Sequence, residues 1–215
     1  MSKATALARQ GLKALKQCNL LRALQSEIQY ELSSNPFQER GSSSLGDFVV
    51  EWDSPRSQDV VLRRKFESGE EVAVSALLGP FYSEEGAVEK YSEYPGEALM
   101  KVCVKKPGLS SMLQFDCSVF EIIGSGSVFN IHNAHILQPS AGLGPSVYRG
   151  PAFSSLDDQL QDALKKYLQS KGIGESLTNF LLHHLHKKEH GQYVNWLHIL
   201  ESHVAKPKPE SDRIQ

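Results

Sequence analysis

Tyr148-Arg149-Gly150-Pro151-Ala152-Phe153-Ser154-Ser155-Leu156-Asp157-Asp158 opens the stretch that decides the fold, and the stretch runs on to Val204. From Ser154 onward apolar residues recur at helical spacing, with Leu156, Leu160, Leu164, Tyr167 and Leu168 on one stripe. Ser154 or Ser155 can cap this helix, and Asp157 and Asp158 suit its positive N-terminus. Gly172 stops it after Lys171. A second helix is predicted on Leu177, Phe180, Leu181 and Leu185. A third is predicted on Tyr193, Trp196, Leu197, Leu200 and Val204, with Gly191 as a break between the two. Together they read as a cover for a sheet formed by the residues before about 140.

Upstream of that cover the period changes to two. Phe48, Val50 and Trp52 alternate with Val49 and Glu51, and Val60, Leu62, Arg64 and Phe66 alternate with Val61, Arg63 and Lys65. Ser68-Gly69 is a hairpin turn, and Val72, Val74, Ala76 and Leu78 form the return strand. Met100, Val102 and Val104 make another strand, closed by Pro107-Gly108. Leu113, Phe115, Cys117 and Val119 follow, and a last long strand runs from Val128 to Leu137. Six strands are counted this way, with room for a seventh. Short connections between consecutive strands predict an antiparallel meander with one buried face. Ahead of the sheet, Leu20, Leu21, Leu24, Ile28 and Leu32 predict an N-terminal helix, capped by Asn19 and ended before Pro36.

Composition bounds the function. With 215 residues and 40% hydrophobic content, a chain of this length can bury a real core. No apolar run approaches the length of a membrane span. Cys18, Cys103 and Cys117 are odd in number and lack metal-type spacing, which fits free thiols in a reducing compartment. Residues 1–18 hold Lys3, Arg9, Lys13 and Lys16 and no acid, giving +4; the remaining 19 basic and 25 acidic residues give −6. The basic segment reads as a mitochondrial transit segment, the alternative being an ordinary helix start or a basic tail. Residues 205–215 read as a disordered tail.

Between two strands, residues 79–97 carry Glu84, Glu85, Glu89, Glu93 and Glu97 against the single cation Lys90. A solvated loop would look like this. So would an acidic contact for basic partners, since clustered charge of one sign concentrates the other. These five glutamates are the candidate binding residues.

No arrangement of residues supplies a convincing catalytic centre. His186-Lys187-Lys188-Glu189-His190 matches the inverted zinc-protease pattern, with Glu189 as the would-be base. Such a site needs a third protein ligand downstream, and only 25 residues remain, so the six histidines of the last two helices are read as solvated. Cys103 and Cys117 read as buried small hydrophobes. His132 and His135, three apart in a strand, are expected on opposite faces. Arg63, Arg64 and Lys65 are the one candidate basic patch, but they alternate faces in a strand, and direct nucleic-acid contact is not expected of an acidic chain. No metal and no cofactor are expected.

The order and spacing of several pieces resemble the mitochondrial acidic matrix protein family, also called the mitochondrial glycoprotein family, in its plant-like form. The residues that carry this are Tyr148-x-Gly150-Pro151-x-Phe153, Leu156-Asp157-x-x-Leu160-Gln161, Tyr167-Leu168-x-x-Lys171-Gly172-Ile173, Phe180-Leu181, Lys188-Glu189 and Tyr193-x-x-Trp196-Leu197, with Gln25-Ser26-Glu27-Ile28 near the start. The resemblance covers residues 19–204, taken as one domain. It implies an α+β fold: a twisted antiparallel sheet of about seven strands, with one N-terminal and two to three C-terminal helices packed on one side. It also implies a ring-shaped homotrimer in the mitochondrial matrix, without enzymatic activity. Such a protein binds several ligands in a chaperone-like manner and supports oxidative phosphorylation and mitochondrial translation, with basic ribosomal or respiratory assembly proteins as partners. The rival readings are an RNA-associated translation factor of the same fold and, more remotely, a zinc hydrolase built on His186, Glu189 and His190.

Overall fold

The computed structural model describes residues 19–34, 44–79, 96–122, 126–138 and 148–205. The chain forms two compact units. One is residues 40–189; the other joins residues 1–39 to residues 190–215.

The larger unit is built on a six-stranded sheet: β1 (Val49–Asp53), β2 (Val60–Lys65), β3 (Glu71–Leu78), β4 (Ala98–Lys105), β5 (Met112–Ile122) and β6 (Gly126–Leu137). Spatial order follows sequence order and every neighbouring pair is antiparallel, so the sheet is the expected meander. Among the described residues there are six strands, the number counted from alternation, where the family resemblance implied about seven.

The register explains the alternation. Val60 faces Ala76, Leu62 faces Val74, Val74 faces Val102, Val102 faces Phe115, and Val119 faces Phe129. Direct partners share a face, so these residues form one continuous apolar surface. All but Phe129, at 4%, are 1% exposed or less. α2 (Asp158–Ser170) and the first half of α3 (Glu175–Val204) cover that face. Tyr167 and Lys165 reach Phe115 and Phe129 of the core face, at 6.5 and 5.8 Å to the ring centroids. Leu168, Ile173, Leu177, Leu181, Leu182 and Leu185 are buried.

Local details differ from expectation at three places. Phe153–Ser155 form a short 3-10 turn, and the cap of α2 is Asp157, whose carboxylate accepts from the Gln159 amide at 3.0 Å. Leu160 lies off the buried stripe and is exposed. The two last predicted helices are one helix of 30 residues, which runs through Gly191 without a break. A single glycine costs a helix interior only about 1 kcal/mol, less than the packing of the apolar residues on either side contributes.

The C-terminus of α2 is closed by Gly172 at φ +91°. The Ile173 amide donates to Leu168 O at 3.1 Å and the Gly172 amide to Gln169 O at 3.0 Å, the pair of bonds of a Schellman closure. Ile173 and Leu168 are both fully buried beside it.

In the smaller unit, α1 (residues 19–33) lies antiparallel to the end of α3. Leu24, Ile28 and Leu197 form its core, with Tyr193, Leu200 and Val204 against it. Two hydrogen bonds follow the same register, Gln25 to Glu201 at 3.0 Å and Tyr193 to Glu27 at 3.0 Å, and His190 Nε2 lies 3.1 Å from the Glu31 carboxylate. Asn19 is already helical, and Leu20 and Leu32 are exposed, as is Trp196, which stacks on Tyr193.

Candidate functional site

The acidic loop leaves the sheet at the β3–β4 hairpin, where Leu78 pairs with Ala98. The Gly79 amide donates to Glu97 O at 2.8 Å and closes the neck of the loop. A side chain at residue 79 would begin 3.0 Å from that oxygen, so the close approach favours glycine. Glu97 is exposed at the base of β4. Glu84, Glu85, Glu89 and Glu93 lie outside the described residues.

The candidate basic patch is neutralised strand by strand. Arg63 holds Glu51 at 2.8 Å and Glu71 at 3.0 Å, and Lys65 holds Glu71 from the other side at 3.3 Å. Hydrogen bonding to Glu51 is the main reason the Arg63 pKa is raised, and hydrogen bonding to Lys65 the main reason that of Glu71 is lowered. Arg64, on the core side, pairs with Asp47 at 2.5 Å, donates to Lys171 O at 3.3 Å and lies 4.4 Å over Phe66. The cations that sequence grouped together are shared between two faces and several acids.

The His-x-x-Glu-His pattern does not assemble into a site. His186 is buried, 4% exposed, and burial lowers its pKa from 6.5 to about 4, against a weak opposing pull from Glu121. This corrects the expectation of solvated histidines: Thr178, Leu182 and His186 follow at i, i+4 and i+8 on the inward side of α3. Glu189 is exposed and His190 pairs with Glu31. On the next face of α3, Asp53 accepts from Lys188 at 2.5 Å and lies 2.8 Å from His184 Nε2, and the Lys188 ammonium also reaches Asp59 O at 2.6 Å. Burial of Asp53 opposes its ionisation, but the Lys188 hydrogen bond and the two neighbouring bases outweigh it and leave the pKa lowered. Among the described residues no group of three or more His, Cys, Asp or Glu side chains could hold a metal ion.

A polar cluster that sequence missed occupies the open face of β4, β5 and β6. Register shifts between Asp116 and Cys117: Asp116 faces Asn133 and Cys117 faces Ile131, leaving His132 as the extra residue of a bulge. The bulge reverses the alternation, so His132 and His135 fall on the same face, contrary to the spacing rule. His132 Nε2 lies 2.9 Å from Ser118 Oγ, and His135 bridges Asp116 at 3.1 Å and Arg149 O at 2.9 Å. Gln114 donates to Asp116 at 2.9 Å. Serine and carboxylate thus sit on different histidines, so no Ser-His-Asp relay forms. The thiols are no better placed: burial raises the pKa of Cys103 and pushes that of Cys117 to about 12, leaving both protonated at neutral pH. The cluster joins strands to each other and to the segment entering the helical cover.

Beneath α2 lies a tighter group. Glu70, 8% exposed, accepts from Lys171 at 2.5 Å and from the Tyr167 hydroxyl at 3.2 Å. The Lys171 bond is the largest reason that the Glu70 carboxyl is held below its ordinary value. Burial, with Glu70 beside it, pushes Tyr167 up to about 12. These contacts account for the Tyr167-Leu168-x-x-Lys171-Gly172-Ile173 motif as architecture.

Two solved structures share this arrangement. The p22 protein of Trypanosoma brucei superposes with a TM-score of 0.67 at 19% identity, covering 89% of this chain and 100% of that one. A Leishmania major protein, described as of unknown function and as a sequence homologue of human p32, gives 0.66 at 17%, covering 88% and 99%. At such identities the likeness defines the class of fold: an α+β meander sheet with helices on one face. The family follows from sequence. The profile of the mitochondrial glycoprotein family (MAM33) matches residues 24–204, and the chain belongs to that family.

Relatives agree. A protein of Arabidopsis thaliana called "Uncharacterized protein At2g39795, mitochondrial" is 28% identical over 185 residues, 83% of this chain and 71% of its own length. The mitochondrial acidic protein mam33 of Schizosaccharomyces pombe is 30% identical over 120 residues, 49% of this chain and 42% of its own. Family and relatives place the protein in the mitochondrion, and a matrix location is consistent with them. No helix among the described residues is long and apolar enough to cross a membrane.

Proposed function

We propose that the protein is a non-enzymatic, chaperone-like binding protein of the mitochondrial matrix. In this reading it acts as a ring-shaped homotrimer that holds basic proteins, ribosomal or respiratory assembly proteins among them, in support of translation and oxidative phosphorylation. Residues 19–204 act as one domain, 1–18 as a transit segment and 205–215 as a disordered tail. The observation that carries the reading is the concentration of Glu84, Glu85, Glu89, Glu93 and Glu97 in one loop. That loop's neck is pinned at Gly79 and Glu97 on a rigid hairpin. Carboxylates this close together in sequence raise the local concentration of cationic partners.

The test is substitution of all five glutamates by glutamine and titration with a basic ribosomal protein across a salt series. Affinity should fall by about tenfold or more at low salt, and the salt dependence should flatten, because exposed charges act through a screened field. Unchanged affinity and unchanged salt dependence would remove the loop from the reading. The RNA-associated alternative gains no support from Arg63, Arg64 and Lys65, whose charges are already paired with Glu51, Glu71 and Asp47.

A further inference from the structure

At the far end of the sheet from the acidic loop, the apolar face is not fully covered. Between it and α2 lies a half-open cavity of about 390 Å³. Leu113 and Ile136 supply its sheet wall, Leu164 and Tyr167 its helix wall, and Leu109 of the β4–β5 turn its lip. Ile136 and Leu109 are 65% and 54% exposed, so this is apolar surface held open to solvent. The volume falls in the range of small-molecule sites. At roughly 30 Å³ for each water-sized group it holds about ten to thirteen of them, the bulk of a medium-length alkyl chain.

The lip has a charge. A second, polar depression adjoins the first, shares Lys106 and Leu109 with it, and adds Gly69, Glu71, Lys105, Ser110 and the turn Pro107-Gly108. The nearby acids are already engaged. Glu71 stands opposite Lys105 in the register, but its carboxylate is taken by Arg63 and Lys65. Glu70 is taken by Lys171 and Tyr167. Lys105 and Lys106 are exposed and make no ion pair among the described residues, Lys106 only lending its field to Glu70. The apolar slot therefore ends at Lys106, with Lys105 next to it in the adjoining depression, and neither cation is ion-paired among the described residues.

From this we propose that the β4–β5 end of the sheet binds a soluble, single-chain anionic amphiphile, its alkyl chain between β6 and α2 and its carboxylate or phosphate head at Lys105 and Lys106.

Calorimetric titration of the full chain with hexanoate, octanoate and decanoate, each below its micelle concentration, tests this. Affinity should tighten by about fourfold per added methylene. Decyl phosphate should bind comparably, and decyltrimethylammonium at least tenfold more weakly. Ile136→Asp alters an exposed side chain and should abolish decanoate binding, with the circular dichroism spectrum as the control for folding. Lys105→Glu with Lys106→Glu should cost about tenfold for decanoate and little for decanol. No binding, no dependence on chain length, or equal affinity for the cationic amphiphile would overturn the proposal. So would retention on anionic phospholipid vesicles without uptake of monomeric decanoate, which would mark a membrane contact instead.

Discussion

Lowering the pH should begin to destabilise this protein above the range in which Glu70 and Asp53 lose their contributions, and His186 is the reason. In the folded chain burial holds its pKa at about 4; in the unfolded chain it returns to 6.5. The unfolded state therefore binds the extra proton first as pH falls. The stability that neutral His186 permits is complete above 6.5, drains away between 6.5 and about 4, and changes no further below. Full passage through the window corresponds to roughly 3 kcal/mol, and the step from pH 7 to pH 5 alone to about 2 kcal/mol. Against a typical domain stability of about 5–15 kcal/mol this is a large share. The window separates the effect from the acids. Glu70 and Asp53 have pKa values lowered from 4.5 and 3.8, so their contributions are lost only at lower pH. Urea denaturation at pH 7 and pH 5 measures the difference, with His186→Leu as the comparison. The variant keeps an apolar group among Leu182 and Leu185 and has nothing to titrate there, so its loss between the two pH values should be about 2 kcal/mol smaller than the wild type's. Equal losses in the two proteins would refute the argument.

Two further outcomes follow from the covered face. Gly172→Ala puts a side chain at φ +91°, where its Cβ would meet Arg64 Nη1 at 2.5 Å and Phe48 at 3.1 Å; thermal unfolding should show a loss of about 2 kcal/mol or more. Lys171→Met strands the Glu70 carboxylate, in a pair whose side chains are only 15% and 10% exposed. Chemical denaturation at pH 7 should show a loss of about 3 kcal/mol, most of it recovered in the double variant with Glu70→Leu. The Lys171→Met penalty should shrink as pH falls through the depressed Glu70 pKa, since a neutral Glu70 no longer needs the cation.

Much of the sheet was legible because one face is buried and the other is not. That condition writes a period of two into Val60-Leu62, Val72-Val74-Ala76 and Phe115-Cys117-Val119, and short turns at Gly69 and Gly108 order the strands. The cover was harder. Ser154-Ser155 look like a cap, yet the chain spends them on a 3-10 turn and caps with Asp157. Gly191 looks like a stop, yet the residues around it hold the helix together. A histidine on the last helix reads as solvated, yet His186 stands four residues after Leu182, and that position is the signal for burial. The pairing of Arg63 with Glu51 and Glu71 could not be seen from sequence, since it joins three strands whose register is set by the whole sheet. The cavity above Ile136 was invisible for a similar reason. It arises from where α2 stops covering the sheet, and no residue type announces that.

The extra residue at His132 acts on β6 as a frameshift acts on a gene. Up to Ile131 odd-numbered positions face the core, and from Ala134 even-numbered ones do. Loss of that one residue would remove the bulge and restore strict alternation, with His135 still opposite Gln114 and Ile136 still opposite Leu113 on the apolar side. A one-residue deletion there is absorbed by the bulge, whereas a second insertion would turn the strand over to its end. The extra residue is what sets His132 beside Asn133 on the polar face while leaving the core residues of β6 in register.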